Sequence, residues 1–412
     1  GTTLGADALD KLFSYDPLKR LLTATGREGN NQSNTDLWND KTPLSVITDT
    51  AGESHGYTQN YRYDKLGNIL RLGHVAAGNN YNRYYHYTSG KNILEQVDDG
   101  GDPASVYSTF TYDAVGNQVA ANTDRHFEWD AADQLRYFKR EASGSITADA
   151  HYLYAGGQRV KKFVRDGNGN VEVTVYIDGV YEHRYRKDSS GTLLQKQNAL
   201  HVMDGRSRVS TTYVGDVFGE HVDATKPTHY NIEDHLGTSS AQLDHNGVVL
   251  NRAEYYPFGD TALTTTSKKR YRYVGKELDS ESGLYYYGAR YYAAWVCRFI
   301  SIDKMAHDFP HLNPYNYAGN KPINSLDLDG MQSPDEQKGP SNGAQQNNAA
   351  FAVSESTTPH LPAQAKELLP GAPLPSGPNI HAFSNSDYYI SQGQVEKHPT
   401  SGWHEYEPNK GR

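Results

Sequence analysis

The side chains able to do chemistry gather between Tyr271 and Met331. Tyr285–Tyr287 and Tyr291–Tyr292 bracket Gly288 and Arg290. A run that aromatic has no polar face, so burial on both sides is expected, with Arg290 held inside. A buried guanidinium needs carboxylate partners, and the block offers Asp303, Asp327 and Asp329. Cys297 is the single cysteine. Its neighbours Val296 and Phe299 point to a buried thiol rather than a nucleophile. Asp234-His235 and Ser239-Ser240 lie in YNIEDHLGTSSAQLD (Tyr230–Asp244). They have no third partner and no oxyanion element, so they do not make a triad; a turn whose polar groups bond locally is expected. His381, Glu396, His398, His404 and Glu405 near the C-terminus are metal-type ligands, but no spacing such as His-Glu-x-x-His connects them. No metal or cofactor is expected.

The elements that must position this block are repeats. FSYDPLKRLLTAT (Phe13–Thr25) recurs as YRYDKLGNILRL (Tyr61–Leu72), FTYDAVGNQVAA (Phe110–Ala121) and FEWDAADQLRYF (Phe127–Phe138). Looser copies are YHYTSGKNILEQV (Tyr85–Val97) and YLYAGGQRVKKFV (Tyr152–Val164). From Asp64 the units follow at roughly 17 to 25 residues, the spacing of stacked supersecondary units. Aromatic-x-Tyr-Asp alternates large and polar, as a half-buried strand does. The residues after it form a turn in which Gly supplies a positive φ and Asn tolerates one, and an apolar return strand follows. Each unit therefore reads as a β-hairpin, with its Asp accepting backbone N–H bonds from its own turn. One hairpin is marginal alone, so the units must join into a continuous sheet. Asn31–Asp49 breaks the spacing, as an insertion or a degenerate repeat.

Composition agrees. Only 36% of the 412 residues are hydrophobic, and Tyr (32) outnumbers Phe (11). Tyrosine buries ring faces while its hydroxyls stay paired or wet, which suits a broad thin sheet better than a thick apolar core. A net charge of −9 provides no basic stripe, so nucleic-acid binding by the sheet is not expected. One cysteine allows neither a disulfide framework nor a Cys-based zinc site. No apolar stretch of about 18 residues exists to span a membrane, and no signal peptide is visible.

GLYYYGARYY (Gly283–Tyr292), RFISID (Arg298–Asp303), NPYNYAGNKPIN (Asn313–Asn324) and DLDGM (Asp327–Met331) resemble the RHS-repeat-associated core domain. That domain closes the YD-repeat shells of bacterial Rhs toxins and of the C subunits of insecticidal Tc toxins. Weaker YD-repeat resemblance runs back to the N-terminus; nothing after Met331 is covered. The resemblance implies an intramolecular aspartyl protease that cuts just after a DxxG-hydrophobic motif. Arg290, in GARYY, matches the family's arginine. Asp303, in SID, matches the first catalytic aspartate, and Asp327, opening DLDG, the second. Met331 takes the hydrophobic position before the cut, so the expected bond is Met331–Gln332. Two carboxylates sharing a site cannot both ionise, so the pair can serve as base and acid on a water. A nearby arginine can hold one as an anion or polarise the scissile carbonyl. The cut is intramolecular, so proximity replaces substrate binding. Two positions depart from the family: Lys304 stands where Pro usually follows the first aspartate, and Cys297 where Gly usually precedes Arg-Phe. Without the resemblance, the aspartates read as turn residues and N-caps and the arginine as a core ion pair.

The expected architecture is all-β: stacked YD-repeat hairpins forming a curved shell over residues 1–228, closed by the core domain at 229–331. A Pro/Gln/Asn-rich linker follows at 332–379, too polar to fold alone, then a short variable effector segment at 380–412. The resemblance implies a bacterial toxin carrier, secreted or delivered to the cell surface by specialised machinery. It encloses its own C-terminal segment as cargo, and a B-type subunit or further N-terminal sequence completes the shell. The alternative is an adhesive, teneurin-like YD-repeat protein whose core block is purely structural.

Overall fold

The computed structural model describes residues 10–30, 38, 54–100, 105–266, 268–310, 312–331, 388–391 and 394–397. Most of Asn31–Asp49 lies outside them. The chain divides into two units, Gly1–Pro340 and Ser341–Arg412. The first opens with β1 (Phe13–Tyr15), β2 (Leu21–Gly29), β3 (Ser54–Tyr63), β4 (Ile69–Ala76), β5 (Tyr81–Tyr87), β6 (Leu94–Asp98) and β7 (Val106–Tyr112). It continues through β8 (Gln118–Ala121), β9 (Arg125–Trp129), β10 (Leu135–Ala142), β11 (Ser145–Ala155), β12 (Gln158–Asp166), β13 (Val171–Ile177) and β14 (Tyr181–Lys187). Then come β15 (Leu193–Asp204), β16 (Ser207–Gly215), β17 (Thr228–Glu233), β18 (Ser239–Leu243), β19 (Val249–Tyr255) and β20 (Thr261–Thr264). Each strand pairs antiparallel with the next, giving one 20-stranded sheet. A second sheet holds β21 (Glu277–Asp279), β22 (Leu284–Tyr286), β23 (Tyr291–Ala293) and β24 (Arg298–Phe299). In the second unit, β25 (Tyr388–Ser391) and β26 (Gln394–Lys397) form a hairpin.

The Tyr-Asp unit builds the ladder through two bonds. The aspartate caps its own turn: Asp64 Oδ1 accepts from Asn68 N at 2.8 Å, Asp113 Oδ1 from Asn117 N at 2.8 Å, and Asp130 Oδ1 from Gln134 N at 2.9 Å. The same geometry recurs at Asp166, Asp188, Asp234 and Asp244. The aromatic residue before the turn ties one unit to the previous one. Tyr63 OH donates to Leu21 O (2.7 Å), Tyr87 OH to Ile69 O (3.0 Å), Trp129 Nε1 to Gln118 O (2.8 Å) and Tyr154 OH to Leu135 O (2.8 Å). Each acceptor is the first residue of a return strand. Tyrosine is favoured here because it spans to the neighbouring hairpin, buries its ring and ends on a carbonyl.

One face of the sheet is buried. In β5, Tyr81, Arg83 and Tyr85 point inward and His86 outward. Tyr285, Tyr287, Tyr291, Tyr292, Trp295 and Phe299 of the 271–331 block pack with that face in one core. Trp38 joins them, 5.4 Å from Trp295 edge-to-face. The block is also bound by charge. Arg159 on β12 meets Asp279 Oδ2 at 2.5 Å and Glu277 Oε2 at 2.7 Å, and Lys162 Nζ meets Asp279 Oδ1 at 2.6 Å. Burial pushes the Glu277 carboxyl up, but Lys162, Arg159 and Arg270 outweigh it and hold it well below the usual range. Turns of the repeats dock the block as well. Asn313 Nδ2 donates to Asn68 Oδ1 (2.6 Å), Asn320 Nδ2 to Gly67 O (2.8 Å) and Tyr315 OH to Gly116 O (2.8 Å). Gly116 sits at φ +95, and a Cβ there would fall 2.4 Å from Ile302 Cδ1, so the fit requires glycine.

The strip curves back to its own beginning without strand pairing between β20 and the first strands. Side chains make the seam: Arg27 Nε to Glu254 Oε1 at 2.5 Å, and Tyr256 OH to Glu28. Glu28 is fully buried and also holds His74 Nε2 at 2.9 Å and His55 Nε2 at 3.1 Å. Burial raises its pKa, but His74, Tyr256 and Asn79 outweigh that and leave it below the ordinary glutamate value of 4.5.

Two outcomes follow from these contacts. Asp64→Ala loses two bonds to a residue that docks the core block, and should lower stability by about 2 kcal/mol in urea unfolding. Asp188→Ala, whose side chain bonds only within its own turn, should shift the midpoint less. The folded pKa of Glu28 is depressed, so its contribution is fully present above the unfolded value and lost as pH falls through the folded one. Below about pH 4.5, wild-type stability should therefore drop more steeply than that of Glu28→Gln, measured by urea midpoints across the acid range.

Candidate active site

Arg290 lies in the tight connection from β22 to β23, closed by Tyr287 N donating to Arg290 O at 3.0 Å. Its side chain is 2% exposed, stacked 3.7 Å over the Phe299 ring. Asp303 follows β24 and is fixed by its own N–H donating to Pro314 O at 3.0 Å. Asp327 opens the segment that runs to Met331.

The structure brings three of the expected residues together on one nitrogen. Arg290 Nη2 lies 2.9 Å from Asp303 Oδ2 and 3.3 Å from Asp327 Oδ2. The other oxygen of each carboxylate is held by a turn: Asp303 Oδ1 accepts from Met305 N (2.9 Å), and Asp327 Oδ1 from Gly330 N (2.7 Å). The Asp303 side chain is 16% exposed and that of Asp327 1%. One carboxylate of the pair therefore has access to water and the other is sealed. Burial lowers the Arg290 pKa from its ordinary value although both aspartates oppose the shift; a guanidinium stays charged regardless.

The segment before the expected cut is part of the site. Arg290 Nε donates to Gly330 O and Nη1 to Pro314 O at 3.0 Å. Ala289 N donates to Asp329 O at 2.8 Å. Gly330 adopts φ +80, with Arg290 N 3.0 Å from where a Cβ would stand, so this approach needs glycine. Met331 N donates to Asp329 Oδ1 at 3.0 Å. Asp329 is thus occupied locally, and of the three candidate partners Arg290 takes Asp303 and Asp327. Gln332 lies outside the described residues.

The remaining candidates separate. His235 Nε2 meets Ile323 O at 3.0 Å, Asp234 caps its own turn, and Ser240 Oγ donates to Ile232 O at 3.2 Å, so no triad forms. Lys304 turns its ammonium to Ala132 O, 2.7 Å away on a shell turn. Cys297 is buried, and burial pushes its thiol up to about 12. Its φ of +59 explains why the family usually carries glycine there. His381, His398, His404 and Glu405 lie outside the described residues; Glu396 is on β26. Among the described residues no group of acidic, His or Cys side chains has metal-site geometry. Lys276 was not anticipated: its ammonium donates to Leu328 O, beside the site. It stands among Lys268, Lys269, Arg270 and Arg272, and nothing in the sequence marks it out. Iodoacetamide near pH 8 should leave Cys297 unlabelled in the native protein and label it fully after denaturation, read by mass; native labelling would contradict the burial.

No protein-family model matches the chain. It is 30% identical over 346 residues to the toxin subunit YenC2 of Yersinia entomophaga, covering 78% of this chain and 34% of that one. It is 28% identical over 293 residues to the tRNA3(Ser)-specific nuclease WapA of Bacillus spizizenii, covering 68% of this chain and 11% of that one. The crystal structure of TcdB2-TccC3 superposes with a TM-score of 0.66 at 27% identity, covering 78% of this chain and 16% of that one. The chain thus spans about a third of the length of its curated toxin relative. The strand ladder, the block it encloses and these similarities agree: over the stretch it spans, the chain belongs to the Rhs/YD-repeat family, of the type found in Tc toxin C subunits.

Proposed function

We propose that this chain is the closing part of a toxin carrier, and that the 271–331 block cuts its own backbone once, between Met331 and Gln332. The observation that carries this reading is the convergence of Asp303 and Asp327 on Arg290 Nη2 while Arg290 Nε grips the Gly330 carbonyl. A structural ion pair accounts for the first contact. It does not account for the same guanidinium holding the residue just before Met331.

The chemistry is hydrolysis. Asp303, the more open carboxylate, takes a proton from a water whose oxygen adds to the Met331 carbonyl carbon. The C–N bond to Gln332 then breaks, the nitrogen leaves as an amine after gaining a proton from the carboxyl pair, and Met331 ends as a carboxylate. Arg290 keeps its proton throughout, balances the aspartates and fixes the segment at Gly330. Substrate and catalyst are one chain, so positioning is built in and one turnover suffices.

Around this site we assign residues 1–228 to the repeat shell, 229–331 to the core block, 332–379 to a linker and 380–412 to a variable effector segment. Residues 332–412 are the cargo that the cut releases. A B-type subunit, as in the TcdB2-TccC3 complex, or further sequence of the same protein completes the shell. Delivery from the bacterium is by that assembly.

Intact-mass measurement of the purified folded protein tests the reading. Wild type should separate into a fragment ending at Met331 and a peptide beginning at Gln332. Asp303→Asn and Asp327→Asn should each slow the cut by roughly 100- to 10,000-fold and stay whole. Wild type remaining whole from mildly acidic to neutral pH would defeat the proposal.

A further inference from the structure

Three successive carbonyls lead to the proposed cut, and each takes one donor. Leu328 O accepts from Lys276 Nζ, Asp329 O from Ala289 N at 2.8 Å, and Gly330 O from Arg290 Nε. The next carbonyl in sequence is that of Met331. Two of the three donors belong to the β22–β23 connection. Lys276 comes from the other side, immediately before β21.

We infer that Lys276 is a positioning residue for the cut: its ammonium, bonded to the Leu328 carbonyl, holds the far end of the segment so that Met331 lies beside Asp303 and Asp327. The inference rests on the self-cleavage reading. Lys276 is placed to do this by its own backbone, whose N–H donates to Tyr273 O at 3.0 Å and whose carbonyl accepts from Arg272 N at 2.9 Å. Its ammonium lies 5.2 Å from the Tyr287 ring centroid. The charged groups facing it are Asp327 and Asp329 from the segment and Arg206 and Arg208 from the β15–β16 hairpin. Of the three donors, a backbone amide and a guanidinium keep their protons at any ordinary pH. Lys276 does not: burial brings its pKa down to about 8, against the pull of Asp327 and Asp329. The third rung therefore weakens on the alkaline side. A neutral amine still donates, but without charge assistance.

The test uses the full-length chain, kept unfolded in urea and refolded by dilution into buffers from about pH 6 to about pH 10, spanning the Lys276 titration. Cleavage is followed in time by intact mass. Lys276→Met should slow the cut at neutral pH by at least about tenfold. Lys276→Arg should return to within a few-fold of wild type and keep cutting near pH 9, where wild type slows. Thermal melting beside uncleaved Asp303→Asn reports whether the variants fold. Lys276→Met cutting at the wild-type rate overturns the inference. So does a Lys276→Arg profile with the same alkaline limb as wild type, which decides the matter even if Lys276→Met does not fold. If wild type itself stays whole at every pH, the self-cleavage reading falls first; if wild type cuts and the variants match it, only the role of Lys276 falls.

Discussion

A sheet one layer thick has a face to bury and no residues of its own to bury it against. Every hairpin of the ladder presents that face, and a hairpin strip without a second layer is marginal. The 271–331 block supplies the layer. Its tyrosines and Trp295 meet the inward aromatics of the first strands. Its carboxylates meet the inward cations of the later ones, Arg159 and Lys162 against Glu277 and Asp279. Buried ion pairs give little net stability, but an inward lysine or arginine left without its carboxylate is expensive. The shell and the block are thus each incomplete alone, and that mutual need fixes where the block sits to within hydrogen-bond tolerance.

The site is assembled from the device that builds the shell. An aspartate with one oxygen tied to the N–H groups of the next turn has its rotamer locked and its second oxygen aimed. At Asp64 and Asp113 the second oxygen meets the asparagine of its own turn. At Asp303 and Asp327 it meets Arg290 instead. The turn-cap reading and the catalytic reading of these aspartates therefore describe the same atoms. One oxygen does structural work, and the other is left where two carboxylates and a cation share a small volume.

Much of this was legible in the sequence. Tyr-Asp units announced hairpins, the turn-capping aspartates were expected, and the tyrosine run around Arg290 implied a buried guanidinium with carboxylate partners. The resemblance then chose Asp303 and Asp327 over Asp329, and these two are the carboxylates that Arg290 Nη2 meets. What escaped has physical reasons. The aromatic-to-carbonyl bonds join residues in different units, and acceptor carbonyls carry no side-chain signature. Arg159 and Lys162 are both buried although three positions apart, because the ladder shifts register opposite Leu153/Tyr154, and a bulge breaks the period-2 pattern. Their partners lie more than a hundred residues on, at Glu277 and Asp279. Trp38 sits in a stretch with no repeat pattern, and Lys276 among several equivalent cations.

The proposed chemistry also follows from how the block is held. A protease acting on other chains needs an open groove that binds and releases substrate, and the segment before Met331 already packs against Arg290 and Ala289. In the proposed reaction Arg290 joins catalyst to substrate within one side chain, with Nη2 on the aspartates and Nε on the Gly330 carbonyl. Moving this segment out to admit another chain would strip that guanidinium of a buried acceptor, at a cost that a new substrate must match. On the proposed cut between Met331 and Gln332, the segment ending at Met331 would stay tied to the same cation through the Gly330 carbonyl while the peptide beginning at Gln332 is released.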